Sequence, residues 1–344
     1  MNGSADLKQA YGGIDRFRII AALFIVGIHT YPLASINGVA NFYLIHVLGR
    51  VAVPFFLMVT GYFLLPRYLV ENEDDIQPLV KFIKKTGIIY VLATLLYLPI
   101  SIYAGYYSGG DLFVTILRNI IFDGTFYHLW YLPASIIGVL MVFALRRVFS
   151  LPMTFGITVL LYIVGLFGDN YFGVISGIPL IRNVYDIGFE FFSFTRNGLF
   201  YAPVFLCMGG MAKSKKLGKI SVNSVGLVVS LSLMVFEGYM LQRNYFSRHS
   251  SMYIALLPCM FFLFNLLLIQ RARGSVLLRN VSMWVFILHP LFIIVVRGLA
   301  RGVGLTHLLV ENSVVHFFAV CVLSVGGSVF CAVVYARYKG RIYE

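Results

Sequence analysis

Residues 15–35, DRFRIIAALFIVGIHTYPLAS, place three charges in four positions, then run without charge through His29 to Pro32. Crossing the hydrocarbon of a bilayer takes about 20 mostly apolar residues, because every backbone polar group must be satisfied inside the segment. The stretch after Arg18 meets that requirement. No small-x-small cleavage site follows it, so it is expected to remain as a helix rather than leave as a signal peptide. Outward from this stretch the pattern recurs. The approximate cores are 19–35, 42–65, 87–104, 128–145, 151–168, 197–212, 222–241, 252–269, 281–298 and 313–336.

The chain has 344 residues, of which 60% are hydrophobic and 12% charged. A soluble domain of this length would interrupt its apolar periodicity with many charged faces, so the composition excludes a water-soluble globule. The expected fold is an all-α, polytopic integral membrane protein of about ten transmembrane helices. Basic residues collect in cytoplasmic loops, and 19 of the 27 Lys and Arg fall on the side of the N-terminus. They include Lys8, Arg16, Arg18, Lys81, Lys84, Lys85, Arg146, Arg147, Lys215, Arg271, Arg279, Arg337, Lys339 and Arg341. Both termini are therefore expected in the cytoplasm, with the protein in a bacterial inner membrane. Topology and anionic lipid heads account for the net charge of +13, which gives no reason to expect a nucleic-acid partner.

Connections are short except for 67–85, 105–127 and 169–196, so residues 1–344 are read as one membrane domain. The cluster Glu71-Asn72-Glu73-Asp74-Asp75 followed by Lys81, Lys84 and Lys85 reads as a solvated loop leading into an interfacial helix. Cys207, Cys259, Cys321 and Cys331 all lie in predicted spans and read as small core residues rather than disulfide partners. The histidines show no ligand spacing, so no metal site is expected.

An ionisable group inside a span costs roughly 2.5–3.5 kcal/mol on insertion scales and is a functional candidate by default. Arg18 and His29 are eleven residues apart. That spacing returns to within about 20° of the same helix face, with a rise of about 16 Å. Arg18 at the cytoplasmic interface either grips a phosphate or snorkels to lipid heads, and His29 either handles a proton or makes a structural contact. Arg50 inside the second span needs a partner or a wet cavity, with Glu237 of the seventh span as one candidate. His289, preceding Pro290, either moves protons or satisfies backbone freed by the proline. His128 and Trp130 enter the fourth span from outside, where they shape an acceptor mouth or, for Trp130, join an aromatic belt.

These residues also carry a resemblance. The run from Asp15-Arg16-Phe17-Arg18 through His29 resembles the opening of the acyltransferase-3 membrane family, with Arg, ten residues, then His. Arg50-Val51-Ala52-Val53-Pro54-Phe55-Phe56 with Thr60-Gly61-Tyr62, His128-Leu129-Trp130-Tyr131-Leu132, Arg196-Asn197-Gly198 with Phe205 and Gly209, and Leu288-His289-Pro290 match its later motifs in order. Thr60 stands where Ser is usual. The resemblance implies transfer of an acyl group, often acetyl, from cytoplasmic acyl-CoA to a glycan, lipid or small-molecule acceptor. His29 would then be catalytic, Arg18 and Arg50 anion-binding, and Asp15, His128, Trp130, Arg196, Glu237 and His289 accessory.

The stretch from Phe122 to Ala134, together with Arg196-Asn197-Gly198, further resembles the membrane half of the membrane-bound serine racemases of vancomycin resistance. Those proteins join such a domain to a soluble pyridoxal-phosphate racemase. The chain reaches Tyr343-Glu344 without such a barrel, so no pyridoxal phosphate and no racemisation are expected from it. The alternative function that follows is an L-serine supply module working with a soluble racemase domain.

Overall fold

The computed structural model describes residues 11–106, 111–214, 216–270 and 272–338. Lys8, Lys215, Arg271, Lys339 and Arg341 of the charge argument, and the chain end at Tyr343-Glu344, lie outside the described residues. Among the described residues every regular element is helical. A helix occupies each of the ten apolar segments: α1 (Gly12–Thr30), α2 (Gly38–Leu64), α3 (Gln77–Tyr103), α4 (Tyr131–Val148), α5 (Leu151–Phe167), α6 (Ala202–Ala212), α7 (Ile220–Arg243), α8 (Leu256–Ile269), α9 (Val276–Gly302) and α10 (Ser313–Tyr338). Six of these, α2, α3, α4, α7, α9 and α10, are long and apolar enough to cross a membrane, and α5, α6 and α8 are shorter apolar helices. The chain is a multi-pass membrane protein.

Several boundaries differ from the sequence reading for local reasons. Helix α1 begins at Gly12, not near residue 19, because Gly12 and Gly13 have no side chain to hold the turn away from Leu267 and Ala272. The Gly12 N–H donates to the Ala272 carbonyl at 2.9 Å. The expected interfacial helix carrying Lys81, Lys84 and Lys85 is instead the opening of α3, a single 27-residue helix that continues past Pro99. The stretch 169–196 contains the helix Pro179–Phe191, which buries no residue. Leu180, Val184, Ile187 and Phe191 recur on one exposed face of it at helical spacing, the pattern of a helix lying in a bilayer interface.

The contacts divide the chain into two compact units. The first comprises the N-terminal stretch through Val53, Leu217–Val235 and the stretch from Pro258 onward. Its core joins α1, α9 and α10 through Ala22, Val26, Val281, Val285, Ile293, Val296, Val320, Cys321 and Ala332. The second comprises Pro54–Lys216 and Phe236–Leu257. Here α2 and α6 meet backbone to backbone: a Cβ at Gly61 would collide with the Leu206 carbonyl, and one at Gly209 with the Met58 carbonyl. Small residues permit such close approach where lipid supplies no hydrophobic drive between helices.

Candidate active site

In the first unit the sequence folds polar residues onto the α1–α9 seam at two levels. The lower level centres on Asp15, 1% exposed. Its carboxylate accepts from Arg279 Nε at 2.9 and 3.0 Å, pairs with Arg279 Nη2 at 2.9 Å, and lies 3.4 Å from Arg18 Nε. The Ser275 N–H donates to it at 2.8 Å, while the Ser275 hydroxyl caps α9 by accepting from the Leu278 N–H. One carboxylate thus anchors the start of α9 and holds two guanidinium groups, leaving the cluster with a surplus positive charge. The Arg279 side chain remains 42% exposed. A fork of N–H donors with spare positive charge suits a phosphate.

The upper level is a histidine pair. The rings of His29 and His289 stack at 5.3 Å between centroids. His289 is fully buried, and its Nδ1 lies 2.9 Å from the Val285 carbonyl and 3.0 Å from the Phe286 carbonyl. Asp15 meets Arg279, and His29, further along α1, meets His289, further along α9. The two helices therefore run parallel.

Arg50 enters this unit through an irregular stretch of α2. Phe42–Val47 is π-helical and Leu48–Val51 is a 3₁₀ turn, before Ala52–Leu64 resumes α geometry. Arg50 Nη2 lies 3.0 Å from Nδ1 of His46, four residues earlier in the chain. A guanidinium only donates, so His46 Nδ1 accepts and the neutral ring carries its proton on Nε2. His46 also packs against Tyr31 at 5.8 Å and Phe42 at 5.7 Å between ring centroids. Arg279 and His46 escaped the sequence reading. Arg279 was counted only as a topological charge, although it precedes His289 at nearly the interval separating Arg18 from His29. His46 stands four residues before Arg50, and that helical-neighbour spacing was the signal that could have found it.

The remaining candidates belong to the second unit. His128 is 2% exposed, with its ring edge-on to Tyr97 at 5.1 Å. Trp130 is 8% exposed and lies 5.0 Å beneath the Arg196 guanidinium, which also covers Phe194 at 4.5 Å. Trp130 is therefore a packed cation–π partner and not a lipid-facing belt residue. Asn197 follows as a local cap, its side-chain oxygen accepting from the Leu199 and Phe200 N–H groups. Gly198 allows close approach to Ile137. Glu237 accepts from the Tyr171 hydroxyl at 2.7 Å and from the N–H groups of Ile254 and Ala255 at 2.6 and 2.9 Å.

Comparison with known proteins decides the family. A model of the acyltransferase domain matches residues 11–333, spanning both units. The chain belongs to the acyltransferase-3 family. It is 41% identical over 324 residues to an amino-acid racemase of Enterococcus faecalis, covering 92% of this chain and 44% of that protein. It is 34% identical over 318 residues to a serine/alanine racemase of Enterococcus gallinarum, covering 91% of this chain and 45% of that protein. The chain thus spans a little under half the length of these relatives. No solved structure matches it.

Proposed function

We propose that this chain is a membrane acyltransferase that moves an acyl group from cytoplasmic acyl-CoA to an extracytoplasmic glycan, lipid or small-molecule acceptor. The observation that carries the reading is the two-level α1–α9 seam. An arginine cluster at one end suits the CoA phosphates, and about 16 Å further along α1 a histidine pair suits proton transfer from an acceptor hydroxyl. Arg18 and Arg279 hold the anion while Asp15 orients them. His29 lies at the reacting end, and Arg50 fixes the state of His46 nearby on α2.

The proposal takes ten crossings, with both termini in the cytoplasm of a bacterial inner membrane and the whole chain working as one membrane domain. The parallel run of α1 and α9 supports that count. An even number of steps from the first span to the ninth gives the same direction, whereas leaving α5, α6 and α8 outside the bilayer would reverse α9 relative to α1.

The test is acyl-CoA turnover by purified protein reconstituted in lipid. His29→Ala should abolish CoA release, and Arg279→Ala should weaken acyl-CoA binding roughly 10- to 100-fold, the worth of one charge-assisted contact. A second reading, an L-serine supply module acting with a soluble racemase domain, is favoured by the racemase names of relatives in which this chain covers less than half the length. Saturable serine uptake by the same vesicles, with no turnover of any acyl-CoA, would replace the first reading with the second.

A further inference from the structure

The sequence Leu288-His289-Pro290 sits inside α9, and its proline has a specific consequence. In a regular helix the N–H of residue 290 would bond to the carbonyl of Phe286, but proline has no N–H to give. That carbonyl loses its usual helical donor in a partly buried setting, where replacing the lost hydrogen bond is favourable. His289 Nδ1 lies 3.0 Å from it and 2.9 Å from the carbonyl of Val285. A carbonyl oxygen only accepts, so Nδ1 carries the hydrogen. In the neutral imidazole the lone pair is then confined to Nε2. The ring of His29 stacks against this imidazole.

We propose that His289 is the general base of the histidine pair and that Pro290 is its positioning residue, locking the tautomer that makes Nε2 basic. The proposal rests on the acyl-transfer reading. His289 Nε2 takes the proton of the acceptor hydroxyl as that oxygen attacks the thioester carbonyl carbon. The carbon–sulfur bond then breaks, and the departing thiolate takes the proton back from Nε2–H, leaving acyl ester, CoA thiol and neutral His289. His29 orients the hydroxyl against that nitrogen.

The discriminating variant is His289→Asn. An asparagine amide N–H occupies the place of Nδ1–H and can still serve the freed carbonyl, but it offers no base. With folding checked by thermal stability, kcat should fall about 10²- to 10⁴-fold while KM for acetyl-CoA stays constant. Pro290→Ala restores an N–H that competes for the Phe286 carbonyl, and should lower kcat roughly tenfold with KM unchanged. Nitrogen-15 spectra of histidine-labelled protein read the tautomer without relying on activity. The wild-type His289 should show Nδ1–H, with Nε2–H gaining population in Pro290→Ala. Wild-type kcat retained in His289→Asn, or an Nε2–H tautomer in the wild type, would overturn the proposal. No turnover by the wild type would overturn the acyl-transfer reading and the base role together, whereas an active wild type with an active His289→Asn variant would sink the base role alone.

Discussion

Asp15 shows how a single side chain can be both a strut and an electrostatic device. It is buried, accepts from Arg279 and the Ser275 N–H, and lies beside Arg18. Asp15→Asn should lower stability by about 1–3 kcal/mol. That is less than the loss of a fully buried pair, because Arg279 is partly solvated. A thermal melt in detergent measures it. Asp123 gives a pH signature. Burial pushes its carboxyl above the ordinary value, against the lowering effect of Ser193 and the arginines Arg118 and Arg196. A raised native pKa means that its stabilising contribution is complete below the unfolded value of 3.8 and is lost as pH rises through the native one. Relative to Asp123→Asn, the wild type should therefore lose stability as pH rises above 3.8 and through the raised native value; a stability difference between the two proteins that does not change with pH would contradict this. Arg18, His29 and His289 were legible because charge and imidazole stand out in apolar sequence. Their meeting was not, since Asp15 and Arg279 are 264 positions apart.

Among the elements, backbone approach and winding carry more than propensity does. The paired contacts of Gly61 on α2 and Gly209 on α6 give a physical reason for two glycines that the motifs alone only mark. Gly61→Ala or Gly209→Ala should each destabilise the protein by about 1–3 kcal/mol through overpacking. Gly87→Ala and Gly156→Ala, where an added Cβ meets nothing within 4 Å, should leave the melting temperature unchanged or raise it slightly. The apolar run of most helices could be read from sequence to within several residues, but α3 begins at Gln77 rather than near 87. The π and 3₁₀ turns of α2 could not be read that way because both windings use the same residue types as an α-helix.

For the whole molecule, the proposed ten-crossing arrangement predicts sidedness. An impermeant maleimide applied to intact cells should label an Asn183→Cys variant, on the exposed helix of the stretch 169–196, and should spare Glu71→Cys in the stretch before α3. Protection of both would place α5 and α6 on one side of the bilayer and remove two crossings. The native cysteines are all thiols, three buried and Cys331 partly so, and serve as the low background of that experiment.

Composition and the spacing of apolar runs by themselves determined the all-helical, multi-pass class, because no other fold satisfies the backbone of long charge-free segments in lipid. Motif order pointed to the family that comparison with known proteins then established. The contact of His289 with the Phe286 carbonyl lies within one helix and was one of the two readings that Leu288-His289-Pro290 offered in the sequence; the pairing of His29 with His289 and the sharing of Asp15 between Arg18 and Arg279 were decided only by tertiary structure. Each depends on the distance and rotation between segments far apart in the chain, which packing sets and local sequence does not encode.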